Sequence, residues 1–425
     1  MGTVLRGMRS AEQPTGSTNV RFEGRTIGVV SEAEIDRQPD DDVINCDGKI
    51  AVSGFVNAHT HLAMVLFRGL ADDVPLHVWL EDHIWPIERK LQPEDVYWCT
   101  LLAVAEGLRS GTVAFADMYF HVDEVARAIE ESGVRALLSY GMIAPTLDQK
   151  GDSELAIAEA FVARWEGAAG GRLRTAISPH TLYTCGEDVW RAAIDLAKAS
   201  GVPVHTHVSE TRRETDEWRG KTGMSPVASL ERIGAFEVPF LAAHCVHVDA
   251  DDIAILAEYG VRAAHCPKSN AKLGSGIAPV NAMRKAGVTV AVGTDGAASN
   301  NRLDMIEEMR AVWLLQRARN EDAMSPSAAD VVQMATEDGR RALGLGPGGL
   351  TPGGAADLVL IDADRLHTTP PHDPAATLAY AADGLDVTDV IVDGRVLMKD
   401  GELLTIDEER VKWEVKSLLD RHNKS

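Results

Sequence analysis

The sequence alternates eight short apolar runs with amphipathic stretches, and this rhythm constrains the fold more than any other feature. The runs have the length and composition of buried strands, whereas the intervening stretches carry apolar residues at helical spacing. Five stretches end in a glycine directly before the next run, as at Gly111 and Gly201, and glycine there is typical of helix ends. The eight predicted strands lie in segments 52–62, 111–117, 133–139, 173–179, 202–208, 240–246, 261–266 and 288–295.

Alternating strands and helices predict parallel pairing, and eight such units close into a (β/α)8 barrel, an α/β fold. The alternative is an open doubly wound sheet, but no Gly-x-Gly-x-x-Gly pattern follows the first strand. Further strand-like runs lie before the barrel and after the Gly/Pro-rich segment 344–354. We therefore predict that residues 51–349 form the barrel, and that residues 1–50 and 350–425 combine into one small β-sandwich domain.

Composition excludes several kinds of partner. Lys and Arg number 42 against 64 Asp and Glu, and the formal net charge of −22 repels nucleic acid and anionic membranes, so we expect a small-molecule substrate. No stretch reaches the ~18 apolar residues of a membrane span, and the first twenty residues lack the apolar core of a secretory signal. The five cysteines are odd in number and widely spaced, which predicts reduced thiols in a cytoplasmic protein.

Histidines concentrate where such a barrel holds its active site, at the C-terminal ends of the strands. The first strand places two of them two residues apart, so that both side chains point to the same face. Eight of the 14 histidines fall at these ends: His59, His61, His180, His205, His207, His244, His247 and His265. For three of them, capping of a strand end through hydrogen bonds explains the position equally well: His205, His247 and His265.

The residue types at these ends predict a metal site. A catalytic metal needs two or three neutral imidazoles and a carboxylate, and a divalent ion held by them lowers the pKa of a water from 15.7 toward ~7. The fourth strand offers no lysine in segment 173–178 to bridge two ions, which favours a single ion. The ligand set that meets the demand is His59, His61, His207 and Asp295.

Acid and base groups accompany the predicted ligands. Glu210 lies three residues past His207 and is placed to protonate the substrate atom that becomes negative, which is the work of a general acid. His244 and Asp295 are placed to take the proton of the water. These residues together predict metal-assisted hydrolysis.

Longer motifs around these residues resemble the amidohydrolase superfamily. Within it they are similar to the branch of 5-methylthioadenosine/S-adenosylhomocysteine deaminases and the related triazine chlorohydrolases. The resemblance covers most of residues 50–345 and rests on FVNAHTH at 55–61, RGLADD at 68–73, IWPIE at 84–88, SPHTLY at 178–183, HVSET at 207–211, AHCVH at 243–247 and GTDGAASNN at 293–301.

The resemblance implies hydrolytic deamination at C6 of an adenosine-type nucleoside, with one divalent ion that is expected to be zinc, with iron or manganese as alternatives. It implies that Glu88 holds the ribose hydroxyls, that His180 contacts the nucleoside, and that Glu210 pairs with a purine ring nitrogen. Asp295 is expected to contact the substrate as well as the metal. A homo-oligomer, either dimer or tetramer, is a further expectation at the level of the family.

One segment departs from the pattern of this branch. Members that take S-adenosylhomocysteine are expected to offer an arginine after the third strand, but segment 142–150 has none, and Lys150 is its only cation. The choice among adenosine, methylthioadenosine and S-adenosylhomocysteine therefore stays open. Two alternatives also stay open: a deaminase of free bases or a triazine chlorohydrolase on the same site, and a non-catalytic metal-binding scaffold.

Overall fold

Two sheets organise the part of the chain that the computed structural model describes, residues 2–12, 18–36, 38–74 and 76–422. One is a mixed sheet of nine strands from both chain ends, and the other is an eight-stranded parallel sheet. In chain order the strands are β1 (Thr3–Ser10), β2 (Thr18–Glu23), β3 (Thr26–Ser31), β4 (Asp42–Asn45), β5 (Lys49–Ser53), β6 (Phe55–Thr60), β7 (Thr112–Tyr119), β8 (Arg135–Met142), β9 (Leu173–Pro179), β10 (Val204–Val208), β11 (Phe240–His244), β12 (Arg262–His265), β13 (Thr289–Val292), β14 (Leu358–Asp362), β15 (Val387–Val392), β16 (Arg395–Lys399) and β17 (Glu402–Leu403).

Helices connect the parallel strands and extend beyond them. A π-helical turn at Trp79–Ile84 joins the first two helices into one helical segment over residues 76–88. The helices are α1 (Leu76–Val78), α2 (Trp85–Glu88), α3 (Pro93–Arg109), α4 (Val122–Ser132), α5 (Gln149–Trp165), α6 (Ala168–Gly171), α7 (Glu187–Ser200), α8 (Arg212–Thr222), α9 (Pro226–Arg232), α10 (Ala250–Glu258), α11 (Pro267–Lys272), α12 (Val280–Lys285), α13 (Ala297–Asn300), α14 (Met305–Asn320), α15 (Ala328–Ala335), α16 (Glu337–Ala342), α17 (Pro374–Ala376) and α18 (Glu408–His422).

The parallel strands β6 to β13 pair in chain order, so each strand lies beside its neighbour in sequence. Helix α4 illustrates why the sequence folds this way: it buries Val122, Val125 and Ile129 at helical spacing. It then ends at Gly133, whose φ of 91° lies in the left-handed region that glycine adopts without a steric cost. The predicted (β/α)8 barrel and the small β domain from both chain ends are confirmed.

Side chains as well as backbone close the barrel between β13 and β6. The side-chain Nδ2 of Asn57 donates to Thr294 Oγ1 (2.7 Å), and the side-chain Oδ1 of Asn57 accepts from the Thr294 backbone N–H (3.0 Å). The Asp295 N–H donates to the His59 carbonyl (2.9 Å). Gly293 permits this approach, because a Cβ atom there would lie only 2.7 Å from the His59 backbone nitrogen. We call this contact region the β13/β6 seam.

The small β domain has its own core, because its sheet folds back on itself. Strand β1 pairs with β2 and β4 along one half and with β5 along the other. This turn in the sheet brings residues of β2 such as Phe22 against residues of β14 and β15 such as Leu358 and Ile391. The result is a separate apolar cluster beside the core of the barrel.

Two segments differ from the expected strand pattern. The run predicted as the first barrel strand is divided at Gly54: β5 pairs with β14 in the small domain, and the barrel strand starts at Phe55. At the other end, α18 packs against α3 of the barrel and buries Val411, Val415 and Leu418 in the barrel core. The domain limits at residues 50 and 349 stay a prediction. In the described part of the chain, no helix combines the length and apolar character needed to cross a bilayer.

Candidate active site

The four predicted metal ligands lie together at the C-terminal end of the barrel. His59 and His61 come from β6, His207 from β10, and Asp295 follows β13. Oδ1 of Asp295 lies 3.6 Å from Nε2 of His59 and 3.3 Å from Nε2 of His61. Nε2 of His207 lies 3.3 Å from Nε2 of His61. Four donor atoms of the types that bind divalent transition metals therefore face one another.

The hydrogen bonds around these imidazoles fit a cation between them. Nδ1 of His61 lies 2.7 Å from the Met118 carbonyl, and Nδ1 of His207 lies 2.8 Å from the His180 carbonyl, so each Nδ1 carries the proton. The two Nε2 atoms that face each other are then both acceptors, which repel unless a positive charge lies between them. Nε2 of His59 is buried without a hydrogen-bond partner among the described residues. A metal ion satisfies all three atoms.

Asp295 is oriented by two serines that the sequence analysis did not single out. Oδ2 accepts hydrogen bonds from Ser269 Oγ (2.6 Å) and Ser299 Oγ (2.7 Å), which leaves Oδ1 to face the imidazoles. Burial opposes ionisation of Asp295, but His61, His244 and the two hydroxyls outweigh it, so the pKa of this carboxyl is lowered. The side chain is therefore an ionised ligand candidate with one free oxygen.

His244 and Glu210 face each other beside the ligands. Nε2 of His244 lies 3.8 Å from Glu210 Oε2, and its Nδ1 lies 2.9 Å from Asn270 Oδ1. Burial acts to lower the pKa of His244, but the carboxylates of Glu210 and Asp295 outweigh it and the pKa is raised. His244 is therefore a group that gains a proton readily.

Glu210 is buried in the turn between β10 and α8. Its backbone N–H donates to Glu214 Oε2 (2.9 Å), which fixes the turn. Burial raises the pKa of Glu210 above the usual value of a carboxyl group, although a positive charge on His244 opposes the shift. A buried carboxylic acid beside a histidine is suited to deliver a proton.

Backbone strain coincides with these residues. His244 has a φ of 73°, Asp295 a φ of 59° and Ser209, which precedes Glu210, a φ of 50°. Non-glycine residues in this left-handed region cost on the order of 1 kcal/mol each and occur mostly where function requires them. The strand ends thus hold side chains in directions that a relaxed backbone does not give.

Glu88 lies apart from the ligands, at the end of α2, and is buried. The hydroxyl of Tyr119 donates to its Oε1 (2.7 Å). Burial raises the pKa of Glu88 to about 7, although the Tyr119 hydrogen bond opposes that shift. The neighbouring Arg89 donates through Nε to the Trp85 carbonyl (3.0 Å).

One cavity joins these groups. Of the predicted site residues, His59 is buried behind it, and the others line it: His61, Glu88, His180, His207, Glu210, His244 and Asp295. The rest of the wall is largely apolar and aromatic, and of its members only Trp85 and Tyr183 lie in the motifs IWPIE at 84–88 and SPHTLY at 178–183. Its members include Leu76, Trp79, Leu80, Trp85, Tyr119, Phe120, Ile143, Tyr183 and Leu273. The cavity therefore combines polar groups near the candidate metal ligands with an otherwise apolar wall.

Three histidines were explained equally well by function or by capping of a strand end, and they make different contacts in the structure. Nε2 of His205 lies 2.9 Å from Nδ1 of His59, directly behind a predicted ligand. His247 contacts the Ser275 carbonyl through Nε2 (2.7 Å). His265 is buried, and neither ring nitrogen has a hydrogen-bond partner among the described residues. Of the three, only His205 touches a predicted ligand through a hydrogen bond.

A (β/α)8 barrel that gathers three imidazoles, an aspartate and a buried glutamic acid at its strand ends defines a metal-dependent hydrolase. The chain belongs to the amidohydrolase family, whose model matches residues 50–397. The predicted family and the predicted class of hydrolytic enzyme are confirmed.

Its relatives include deaminases. A 5-methylthioadenosine/S-adenosylhomocysteine deaminase of Pelotomaculum thermopropionicum is 48% identical over 372 residues, which are 87% of this chain and 86% of that protein. One of Thermoanaerobacter pseudethanolicus is 43% identical over 414 residues, 97% of this chain and 96% of that protein.

Solved structures with a similar fold include two hydrolases with bound zinc. An adenosine deaminase from Xanthomonas campestris with bound zinc has a TM-score of 0.93 at 34% identity, and the match covers 100% of this chain and 99% of that chain. An atrazine chlorohydrolase from Arthrobacter aurescens complexed with zinc has a TM-score of 0.90 at 24% identity and covers 98% of this chain and 100% of that chain. The latter likeness supports the fold alone.

Proposed function

We propose that the protein is a hydrolytic deaminase that replaces the amino group at C6 of an adenosine-type nucleoside and releases ammonia. The observation that carries the proposal is a single cavity that holds the candidate ligand set, the Glu210–His244 pair and, apart from both, a buried Glu88. The deaminases among its relatives support the same reaction.

The residues that would hold the metal are His59, His61, His207 and Asp295. Zinc is the proposed ion, because it accepts imidazole and carboxylate ligands and the related adenosine deaminase binds zinc. When bound, such an ion lowers the pKa of a water to ~7 and so makes a nucleophile available at neutral pH.

The side chains of the cavity handle the protons. As water attacks C6, electron density moves to the adjacent ring nitrogen, and Glu210 donates its proton there. His244 and Asp295 take the proton that the water loses, and this proton leaves with the amino group as ammonia. The second proton of the water returns to Glu210 as the C6–O bond becomes a carbonyl, which restores the acid for the next cycle. One water is consumed for each ammonia released, so atoms and charge balance.

Glu88 binds the sugar in this proposal. A carboxylate accepts two hydroxyl hydrogens at once, and a ribose offers two neighbouring hydroxyls. Its hydrogen bond from Tyr119 holds the carboxylate in the cavity wall. A triazine or a free base has no pair of hydroxyls, so with either substrate the buried carboxylate of Glu88 would accept no hydrogen bond from a diol. His180 lines the same cavity and is proposed to contact the nucleoside.

The test is ammonia release by the purified, metal-loaded protein. Adenosine, 5-methylthioadenosine and S-adenosylhomocysteine are offered separately, and ammonia and the inosine-type product are measured for each. At least one nucleoside is expected to react. If the protein binds metal in a one-to-one ratio yet releases no ammonia from any nucleoside, the proposal is wrong. Turnover of a free base or a triazine under the same conditions then favours the alternative reactions.

A further inference from the structure

We infer that the part of the cavity that receives the 5′ substituent is built for an uncharged, apolar group such as methylthio and selects against an amino-acid tail. The inference rests on the proposed function and goes beyond it by choosing among the three nucleosides. It depends on which wall of the cavity the 5′ carbon meets and on the charges at that wall.

The direction of the nucleoside follows from two groups. Glu210 follows β10 and must reach the purine ring, whereas Glu88 must reach the ribose and is held by Tyr119 at the end of β7. The nucleoside therefore runs from the β10 side toward the β7 side. We place its 5′ carbon, which extends from the ribose, against the ends of β7 and β8 and the helical segment over residues 76–88, all of which contribute lining residues to the cavity.

That wall is apolar. Phe120 directly follows β7, and Ile143 directly follows β8. The helical segment that ends in Glu88 turns four large apolar side chains toward the cavity. They are Leu76, Trp79, Leu80 and Trp85. A thioether methyl group loses contact with water against such side chains and is stabilised by that burial.

Charge at the same wall disfavours an amino-acid tail. The described residues that line the cavity include no lysine or arginine. Lys150 is exposed and is not among the lining residues. The carboxylate of half-buried Glu154 accepts a hydrogen bond from the Ile143 N–H (3.1 Å), but Glu154, like Lys150, is not among the lining residues. The carboxylate of an amino-acid tail therefore meets no lysine or arginine among the described lining residues, and an unpaired charge in an apolar site is strongly unfavourable.

The first experiment compares kcat/KM for 5-methylthioadenosine and S-adenosylhomocysteine with the wild-type, metal-loaded protein. We expect 5-methylthioadenosine to be preferred by at least about 100-fold, mainly through KM. Equal values, or a preference for S-adenosylhomocysteine, overturn the inference but leave the proposed deaminase intact. Failure of all nucleosides to react overturns both.

Variants test whether this wall is the cause. Ile143→Arg places a cation beside the 5′ substituent and is expected to shift the ratio of the two kcat/KM values toward S-adenosylhomocysteine by at least about tenfold. Leu80→Arg does the same from the opposite element and keeps the test available if the first variant does not fold. The matched control is Leu147→Arg, at a 41% exposed residue that does not line the cavity. An unmoved ratio in both wall variants, or an equal shift in the control, overturns the inference.

Discussion

Nδ1 of His59 lies 2.9 Å from Nε2 of His205, and this contact determines which nitrogen of His59 faces the other ligands. Burial lowers the pKa of His205 to about 3 and that of His59 well below its usual range, so both rings are neutral. One ring must then donate to the other. If His59 donates through Nδ1, its Nε2 is a bare acceptor that can bind a metal, and a bound cation selects that tautomer.

The first prediction concerns His205. Replacement His205→Ala removes the acceptor that holds the His59 tautomer and is expected to weaken metal affinity by about 10- to 100-fold. Competition with a chelator of known affinity measures it. His372→Ala, at an exposed histidine, is the control and should leave the affinity unchanged. Unchanged affinity in His205→Ala would contradict the role given to this contact.

The second prediction concerns the metal itself. Wild-type protein is expected to bind one divalent ion per chain, and a chelator should abolish ammonia release until zinc is restored. Asp295→Ala removes the anionic ligand of the set and is expected to hold less than one ion per chain under the same conditions. Elemental analysis of both proteins checks this. Full activity of metal-free protein would contradict the proposed mechanism.

The third prediction concerns the ribose contact. Glu88→Gln replaces charged acceptors by one neutral acceptor, and hydrogen bonds to a charged group are worth ~1.5–3 kcal/mol, so kcat/KM for a nucleoside should fall about 10- to 150-fold. Steady-state kinetics measures the loss. Glu94→Gln changes an exposed glutamate in the same way and should have no effect. Nucleoside turnover that survives Glu88→Gln undiminished removes the ribose role from Glu88.

The fourth prediction is a pH dependence from the same residue. Because the pKa of Glu88 is raised to about 7, the ionised form that accepts two hydroxyl hydrogens becomes more populated as the pH rises, and KM should fall between about pH 6 and pH 8. Tyr119→Phe removes a donor that favours the ionised form, so the midpoint of the change should move to higher pH. A midpoint that moves to lower pH would contradict the assignment.

The fifth prediction concerns stability. Glu308 is buried, accepts a hydrogen bond from Asn300 (2.6 Å), and burial raises its pKa from 4.5 to about 8 despite the opposing effect of Lys268. The folded protein therefore holds a proton that the unfolded chain releases, so the free energy of unfolding falls as the pH rises toward 8, by up to ~1.4 kcal/mol per pH unit.

Glu308→Gln removes this titration and should flatten the loss of stability between pH 5 and pH 8. Denaturant unfolding at both pH values measures it. Glu402→Gln, at an exposed position in β17, should keep the wild-type slope. An unchanged slope in Glu308→Gln would show that another group is responsible.

Local patterns predicted the groups that lie close in sequence or at strand ends. The spacing of His59 and His61 on one strand and the glycines before the strands predicted that the candidate ligands lie at one end of a barrel, and the structure brings these side chains together. No local sequence pattern predicted the contacts between segments that are far apart in the chain. Ser269 reaches Asp295 from another strand end, and Tyr119 reaches Glu88 across the cavity, because tertiary packing alone makes them neighbours.

The division of the predicted first barrel strand at Gly54 was missed for a related reason. The apolar run from Ile50 to Val56 is continuous in composition, but Gly54 interrupts it and its two halves join different sheets. Strand β5 contributes Ile50 and Val52 to the barrel core and Ala51 to the core of the small domain. Both faces of this strand are buried, so its hydrophobicity cannot tell which sheet it joins.

The β13/β6 seam places the candidate ligands on both sides of the joint between the first and last strands of the barrel. His59 and His61 stand on one side and Asp295 on the other, although the chain positions that meet there are 237 residues apart at Asn57 and Thr294. A cation bound by all three residues would also act as a cross-link, because it would connect the first and last strands of the barrel, which few hydrogen bonds join. Amide protons along this joint should accordingly exchange with solvent faster in metal-free protein than in the zinc-loaded form.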